Sequence, residues 1–454
     1  MVSERGKPLK VIGGFKYRED RKIAIGISWR CTVRGCSARI YTDGSGSILL
    51  DGQKPVSHSH GPAPDIEKKK ICNAVKRKAV DDIAVRPLKL IRAEIAESSL
   101  HSLQVDDINN FRQCIYRACR SVLPTLPKSQ IEVHSALENM EVISHTGDNL
   151  LLINDPDQQL IVFGTEKNLE ILCSSEVVLV DGTFDTACKF FSQLFTIHVC
   201  INNHYIALLW ALLPSKSAKC YENLFRAVIY KCNCLGYLFL PVKIVADFEI
   251  AIRSAVKCLW PDMPVLGCRF HLCQSWYRKI NQLGLSTVYK DKESQIGQWL
   301  HLIFGLSLLT PEIVAECFIL DVLPQMPADK RLFEFTEYLF KYYLYDSSIF
   351  PPAQWASDSV DSLRTTNACE SFHSAFSKNF YTNHPHIFSF VQALKEQQVS
   401  TSVLINSKDK AKKLRPTYAK KKSQLELLIN NFKKGNVDCV TFLKKAHYHY
   451  STTF

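Results

Sequence analysis

The sequence predicts a multidomain protein of the α+β class, and three observations carry that prediction. Its 454 residues exceed what one ordinary domain needs, and a hydrophobic content of 46% is enough for several cores. Short strand-like segments with turn residues fill the N-terminal region, whereas strand and helix patterns alternate in the middle of the chain. A purely helical pattern interrupts this alternating region.

Six parts follow from these patterns. They are a small β-rich module at 1–61, a basic linker and helical accessory region at 62–150, an α/β core at 170–285 and 350–400, an all-helical insertion at 286–349, and a basic helical tail at 401–454.

Charge is distributed unevenly along the chain. The net charge is +12, with 17 Lys and Arg against 7 Asp and Glu in residues 1–80 and 12 against 3 in residues 401–454. The remaining middle is acidic. This pattern suits a polyanion that is bound at both ends while central carboxylates hold metal ions. Solvated surface charge is the alternative.

Other features bear on the compartment. The start of the chain, MVSERGKPLKVIGG, has no apolar secretory segment, and no run of 18 apolar residues occurs, so neither secretion nor a membrane partner is expected. The 17 cysteines are accordingly expected to be reduced thiols, mostly buried. The basic runs 68–70 and 76–78 resemble a nuclear import signal, which predicts a nuclear protein, with a solvated basic face as the alternative.

The N-terminal module carries a candidate metal site. Cys31 and Cys36 are followed by His58 and His60, and thiolates with imidazoles suit a tetrahedral zinc ion. A module this small gains stability from such an ion. The alternative is a core thiol pair with surface histidines. With the aromatic residues Phe15, Tyr17 and Trp29, the set resembles the FLYWCH zinc finger, a family that binds DNA or protein.

Acidic residues end two predicted core strands. The segment SEVVLVDGTF ends near Asp181, PVKIVADFE ends near Asp247, and Glu370 lies in a late helix. The element order from the first of these strands, β-β-β-α-β-α-β-α, is that of an RNase H-like fold, in which the first and fourth strands are neighbours. Three carboxylates there would bind two magnesium or manganese ions. Asp185 and Glu249 are candidate outer ligands or surface acids. Each acid alone could equally be a helix cap or turn residue.

The same regions resemble the Mutator-like element transposase domain. The similarity rests on VLVDGTF, IVADFEIAIRSAV, GCRFHLCQSWYRKI and PAQWASDSVDSLRTTNACESFH, and the chain departs from the family at Thr366, where asparagine is usual. The resemblance implies that Asp181, Asp247 and Glu370 are catalytic. It also implies that Cys268, His271, Arg364, Asn367 and His373 position DNA. For Cys268 and His271, a buried thiol and a satisfied histidine are the alternative.

Three functions remain open from the sequence. The first is a transposase that cuts and joins double-stranded DNA at terminal inverted repeats, as a homo-oligomer that handles two ends together. The second is a domesticated DNA-binding regulator whose nuclease core is catalytically silent. The third is a protein-interaction module built on the zinc finger.

Overall fold

The computed structural model describes residues 7–24, 26–49, 57–63, 65–83, 85–97, 103–359, 366–380, 382–407, 409–413 and 415–450, with side chains as far as 447. The chain divides into two compact units, residues 1–126 and 127–454. Each unit has its own hydrophobic clusters. The architecture is mixed α/β, as the sequence predicts.

The first unit begins with an antiparallel sheet. Its strands, in spatial and chain order, are β1 (Leu9–Ile12), β2 (Phe15–Ile23), β3 (Gly26–Cys31) and β4 (Arg39–Thr42). Gly13 and Gly14 form the first turn with φ values of +58° and +84°, a left-handed conformation that glycine adopts without steric cost. Tyr17, Trp29 and Ile40 form a small core beside Cys31 and Cys36.

In the described part of this unit the sheet is followed by the helices α1 (Ile66–Asp81), α2 (Pro87–Ala96) and α3 (Val105–Val122). The sequence predicts a basic linker followed by helices within residues 62–150, and the structure has helix α1 where the linker was expected to begin. Ile71, Val75 and Ala79 recur at helical spacing and pack against Phe111 on α3. The lysines of α1 lie on its other positions, so a basic composition concealed an amphipathic helix.

The second unit is built on a seven-stranded sheet. Its elements are α4 (Gln130–Glu138), β5 (Leu151–Asp155), β6 (Leu160–Phe163), α5 (Glu166–Cys173), β7 (Val177–Thr183), β8 (Gln193–Ile201), β9 (His204–Leu213), α6 (Ala218–Cys234), β10 (Lys243–Ala246), α7 (Ile250–Leu259), β11 (Val265–Gly267) and α8 (Arg269–Gln282). The spatial order is β11-β10-β7-β8-β9-β6-β5, with β7, β10 and β11 parallel and the other pairs antiparallel.

From β7 to α8 the elements follow the order predicted from the sequence. The interpretation began the core at residue 170 and therefore missed β5 and β6, which extend the antiparallel side of the sheet. Leu160, Val162 and Leu169 join the cluster under this sheet, which explains why the core begins earlier.

The rest of the unit is helical: α9 (Ser286–Lys290), α10 (Gln295–Gly305), α11 (Pro311–Cys317), α12 (Lys330–Leu339), α13 (Asn367–Ser377), α14 (Ile387–Asn406), α15 (Pro416–Lys433) and α16 (Cys439–Tyr450). Helices α9–α12 are the predicted insertion. Trp276 of α8 and Trp355 lie in the same cluster as the insertion, their ring centroids 5.5 Å apart, and so join it to the sheet domain.

The last two helices are part of the insertion's core. Leu425 and Ile429 of α15 and Phe442 of α16 are buried in the cluster that α10–α12 form. This packing also brings Cys317 to Cys439, and the two form a disulfide. The expectation of reduced thiols is therefore wrong for this pair, because sequence spacing gives no sign that residues 122 positions apart meet.

In the part of the chain that the structure describes, no helix is both long enough and apolar enough to cross a membrane.

If α16 completes the insertion's core, Phe442→Ala should lower the free energy of unfolding by about 3–5 kcal/mol, the usual cost of a buried phenylalanine. Phe442 is 0% exposed. Leu427→Ala is the control, because Leu427 is 62% exposed on the neighbouring α15 and its loss should cost less than about 0.5 kcal/mol. Denaturant unfolding of both variants tests this, and equal effects would contradict the packing.

Candidate functional site

Two acids lie at the same edge of the sheet because β7 and β10 are parallel neighbours. Val178 pairs with Ile244, and Leu179 pairs with Val245. Asp181 lies two residues beyond Leu179, and Asp247 lies two residues beyond Val245. Side chains alternate between the faces of a strand, so Asp181 shares the face of Leu179, and Asp247 directly follows the last residue of β10 at the same edge. Asp181 itself is 6% exposed.

Helix α13 covers that face and brings the third acid. Cys369 packs with Leu179 and Val245 in one small buried cluster, and Glu370 is the next residue on the helix. The helix is anchored against the two strands that carry Asp181 and Asp247. The three acids singled out in the sequence thus lie on neighbouring elements.

Two glycines leave room for neighbouring side chains at this edge of the sheet. A Cβ at Gly182 would overlap the side-chain amide of Gln193, and a Cβ at Gly267 would overlap the ring of Phe248. Phe248 follows Asp247 directly and lies against Gly267, which fixes the loop after β10.

Histidines contact two of the acids. His271 Nε2 lies 2.9 Å from Glu370 Oε1, and His373 Nδ1 lies 3.3 Å from Asp181 Oδ2. His271 is in the first turn of α8, and His373 is one turn after Glu370 on α13. The imidazoles therefore hold the carboxylates in defined orientations.

Asp247 has a different environment. Burial raises the pKa of its carboxyl group, and the charge of Asp181 adds to this rise, whereas His271 and Arg253 oppose it. Its Oδ1 accepts a hydrogen bond of 2.9 Å from the Glu249 amide. A carboxylate that is buried beside a second carboxylate favours a nearby cation.

Cys268 and His271 form a buried pair with Thr366. The amide and hydroxyl of Thr366 both donate to Cys268 Sγ at 3.1 Å. Burial by itself would raise the pKa of the thiol, but hydrogen bonds with His271 and Thr366 outweigh it and lower that pKa. Burial by itself would lower the pKa of His271, but Cys268, Glu370 and Asp181 outweigh it and raise that pKa to about 11. The raised pKa favours the protonated form of His271 beside Glu370.

Thr366 was noted in the sequence only as a departure from the family pattern. The structure gives it a definite place, because its backbone and hydroxyl join the start of α13 to Cys268. Cys268 itself is fully buried, so its effect on anything bound outside passes through Thr366 and His271.

A buried polar chain lies behind Asp181. His373 Nε2 and His198 Nε2 each lie 2.8 Å from Thr196 Oγ1, which donates to the Asp181 carbonyl at 3.2 Å. Burial, followed by the charge of His373, lowers the pKa of His198 well below its usual range. Sequence reasoning missed Thr196 and His198, although polar residues two apart within an otherwise apolar strand are a recognisable signal.

A second polar chain supports Glu249. The Tyr221 hydroxyl lies 2.9 Å from Gln193 Oε1 and 3.1 Å from Glu249 Oε1. Burial and the charge of Asp247 raise the pKa of Glu249. Tyr221 and Gln193 belong to separate elements, so sequence alone offered no reason to group them with Glu249.

Asn367 and Arg364 are the other two residues that the resemblance assigns to DNA positioning. Asn367 is exposed at the first position of α13. Arg364 lies outside the described residues.

The three carboxylates do not form a closed metal cage. Within the described residues, sets of three or more ligand atoms within 4.8 Å of one another occur at Cys31, Cys36, His58 and His60 and at Cys317, Asp321 and Cys439, the last set containing the two sulfurs of the disulfide. Asp181, Asp247 and Glu370 are not such a set. Carboxylate oxygens are ligands that hard divalent cations prefer. In this structure two of the three carboxylates are paired with histidines.

The N-terminal cluster does have cage geometry. Cys31 Sγ lies 3.2 Å from His60 Nε2, Cys36 Sγ lies 3.5 Å from His58 Nδ1, and these two nitrogens are 3.4 Å apart. Zinc bonds of about 2.0–2.3 Å in a tetrahedron place neighbouring ligand atoms about 3.5 Å apart, so the four residues fit a zinc ion.

The surroundings orient these ligands. The ring of Phe15 stacks on His58 with centroids 3.6 Å apart, and the Tyr17 hydroxyl lies 2.7 Å from His58 Nε2. These contacts leave His58 Nδ1 facing Cys36, as ligation requires. A backbone hydrogen bond at Ala38 lowers the pKa of Cys36 to about 6, which favours the thiolate that zinc binds.

Comparison with known proteins adds one finding. Residues 177–275 match the MULE transposase domain family. This region runs from β7 to α8 and contains Asp181, Asp247, Cys268 and His271, whereas Glu370 and the N-terminal cluster lie outside it. A search of curated proteins finds no match to the sequence.

If the N-terminal cluster binds zinc, Cys31→Ser should abolish zinc binding and unfold the β1–β4 module, because three ligands and a weak hydroxyl cannot close the tetrahedron. Elemental analysis and limited proteolysis measure the two effects. Cys114→Ser, on α3, is the matched control and should retain the metal. Unchanged zinc content in Cys31→Ser would contradict the ligand set.

Proposed function

We propose that the chain is a D-D-E-type DNA transposase, in which Asp181, Asp247 and Glu370 are the catalytic carboxylates of an RNase H-like core. The observation that carries this proposal is the placement of Asp181 and Asp247 two residues beyond paired positions of adjacent parallel strands, under the helix that holds Glu370. The match of residues 177–275 to the MULE transposase domain supports the same reaction class.

The sheet order supports the fold assignment. Strands β7, β8 and β9 form an antiparallel meander, and β10 and β11 add in parallel on the other side of β7. An RNase H-like core has this arrangement, and the helical insertion before the last acid is the one that the Mutator-like resemblance implies.

Asp181, Asp247 and Glu370 would hold two magnesium or manganese ions, which would activate a water or 3′-hydroxyl nucleophile and stabilise the leaving oxygen. The protein's own residues orient these carboxylates. His373 and the Thr196 chain orient Asp181, while His271 orients Glu370.

DNA binding would come from the basic regions and the zinc module. In the segment 409–422 the described side chains of Lys410, Lys412, Lys413, Arg415, Lys420 and Lys421 are exposed. Such cations bind phosphates with a strong dependence on salt. We further propose that the N-terminal module is a FLYWCH-type zinc finger that binds double-stranded DNA such as a terminal inverted repeat, and that the protein acts as a homo-oligomer in the nucleus.

A catalytically silent DNA-binding regulator is the second candidate. The observation that favours it is the pairing of Glu370 with His271 and of Asp181 with His373, which occupies two of the three acids. The two candidates differ in whether divalent ions bind the remaining oxygens of these carboxylates when DNA is present.

Replacing a single acid separates chemistry from binding. Asp247→Asn should abolish cleavage of DNA by manganese or magnesium, because a neutral amide is a poor ligand for a hard cation. DNA affinity should stay within a few-fold, since phosphates are bound elsewhere. Nicking of labelled DNA that carries the flanking repeat, with binding measured in parallel, tests this. Equal loss of binding and cleavage would contradict the catalytic assignment.

His271 should act through Glu370. His271→Gln keeps a hydrogen-bond donor but removes the charge, and we expect the cleavage rate at saturating metal to fall roughly 10- to 100-fold, as for other residues that orient metal ligands. His301→Gln, in the helical insertion, serves as the control and should leave the rate unchanged. An unaltered cleavage rate in His271→Gln would show that His271 has only a structural role.

A further inference from the structure

An aromatic ring is exposed next to the acids. Phe184 lies three residues after Asp181, in the loop that follows β7, and is 40% exposed. The Lys216 ammonium lies 3.4 Å from the centroid of its ring. A cation over a ring face is an attractive arrangement, and with 40% of the residue exposed, part of the ring remains open to a planar group from solvent.

Lys216 also belongs to the acid edge. Strand β7 ends at Thr183, which pairs with Leu194 of β8, and β9 ends at Leu213, which pairs with Gln193 of β8. Lys216 follows Leu213 by three residues, as Phe184 follows Asp181. Phe184 and Lys216 therefore follow two strands that end at the sheet edge where Asp181 lies.

The loop that presents Phe184 is held in place. The Ala187 amide donates to the Phe184 carbonyl at 3.0 Å, the His384 amide donates to the Asp185 carbonyl at 3.0 Å, and the Lys189 amide donates to the Pro385 carbonyl at 2.9 Å. Phe190, at the other end of the loop, has a φ of +79°, a left-handed conformation that is costly for a phenylalanine. A strained and fastened loop keeps Phe184 outside the core.

We propose that Phe184 and Lys216 bind an unpaired nucleobase of the DNA strand whose phosphate approaches the acids. The base would stack on the open part of the ring while the ammonium contacts the adjacent phosphate. Stacking on an aromatic ring tolerates any base, because every base has a π-face. This inference rests on the proposed function and adds that the DNA strand at the site is unpaired.

The burial of Asp181 favours an unpaired strand over an intact duplex. Only 6% of that residue is exposed, so a phosphate must come close to the sheet edge to meet its carboxylate. A strand freed from its complement can approach such a recessed group and can offer a base face that stacking within a duplex would cover.

The test compares binding of two DNA probes of the same mixed sequence, a blunt duplex and a duplex with a short unpaired fork, in calcium so that no strand is cut. The full chain should bind the fork more tightly. Phe184→Leu should lower fork affinity by about 5- to 10-fold and leave duplex affinity unchanged, because leucine keeps apolar volume but has no ring face. Lys216→Gln should also weaken fork binding, with a smaller dependence on salt.

Phe333→Leu is the matched control, since Phe333 is 55% exposed on α12 of the insertion, and it should bind both probes as the wild type does. Equal affinity of the wild type for fork and duplex would overturn the inference, and so would an unchanged fork preference in Phe184→Leu. The assay needs no cleavage. If Phe184→Leu loses the fork preference and the protein never cuts DNA, the base-binding surface is supported and the proposed transposase chemistry is rejected.

Discussion

The site depends on the parallel pairing of β7 with β10. These strands lie far apart in sequence, and their register places Asp181 and Asp247 side by side at one edge of the sheet. Strand β7 is held on both sides, by β10 and by β8, and Val178, Leu179 and Val180 are fully buried. A shift of one residue would turn one acid to the opposite face, so burial of the strand protects the geometry of the site.

The third acid reaches this edge by a longer route. Between α8 and α13 the chain passes through the helical insertion, which ends near Trp355. The Trp355 indole donates to the Phe350 carbonyl at 3.0 Å, and the ring of Phe350 lies 5.1 Å from that of Phe248, the residue after Asp247. The segment that follows the insertion therefore contacts the loop that carries the second acid and leads on to the third acid. Helices α15 and α16 share its core, so the end of the chain contributes to this support.

The sequence predicted local elements well and long-range contacts poorly. The strands ending in Asp181 and Asp247 and the helix carrying Glu370 were visible because each has a strong hydrophobic period and a polar residue at its end. Helix α1 was hidden by its lysines, and β5 and β6 by their short length. The place of α15 and α16, and the Cys317–Cys439 disulfide, depend on packing between distant segments, for which one sequence has no signal.

The sequence showed which residue types the site contains, but not which of these residues contact one another. The match of residues 177–275 to the MULE transposase domain agrees with the resemblance seen in the sequence. The contacts of Thr366 with Cys268, of Thr196 with His373 and of Tyr221 with Glu249 join residues from different elements, so only the fold reveals them.

Manganese binding followed by electron paramagnetic resonance can show whether the three acids jointly hold two divalent cations. The wild-type protein with DNA should bind a pair of ions about 4 Å apart, seen as a spin-coupled spectrum, and Asp181→Asn should lose the coupling. An identical spectrum in wild type and Asp181→Asn, or no manganese bound at all, would rule out a shared two-ion site.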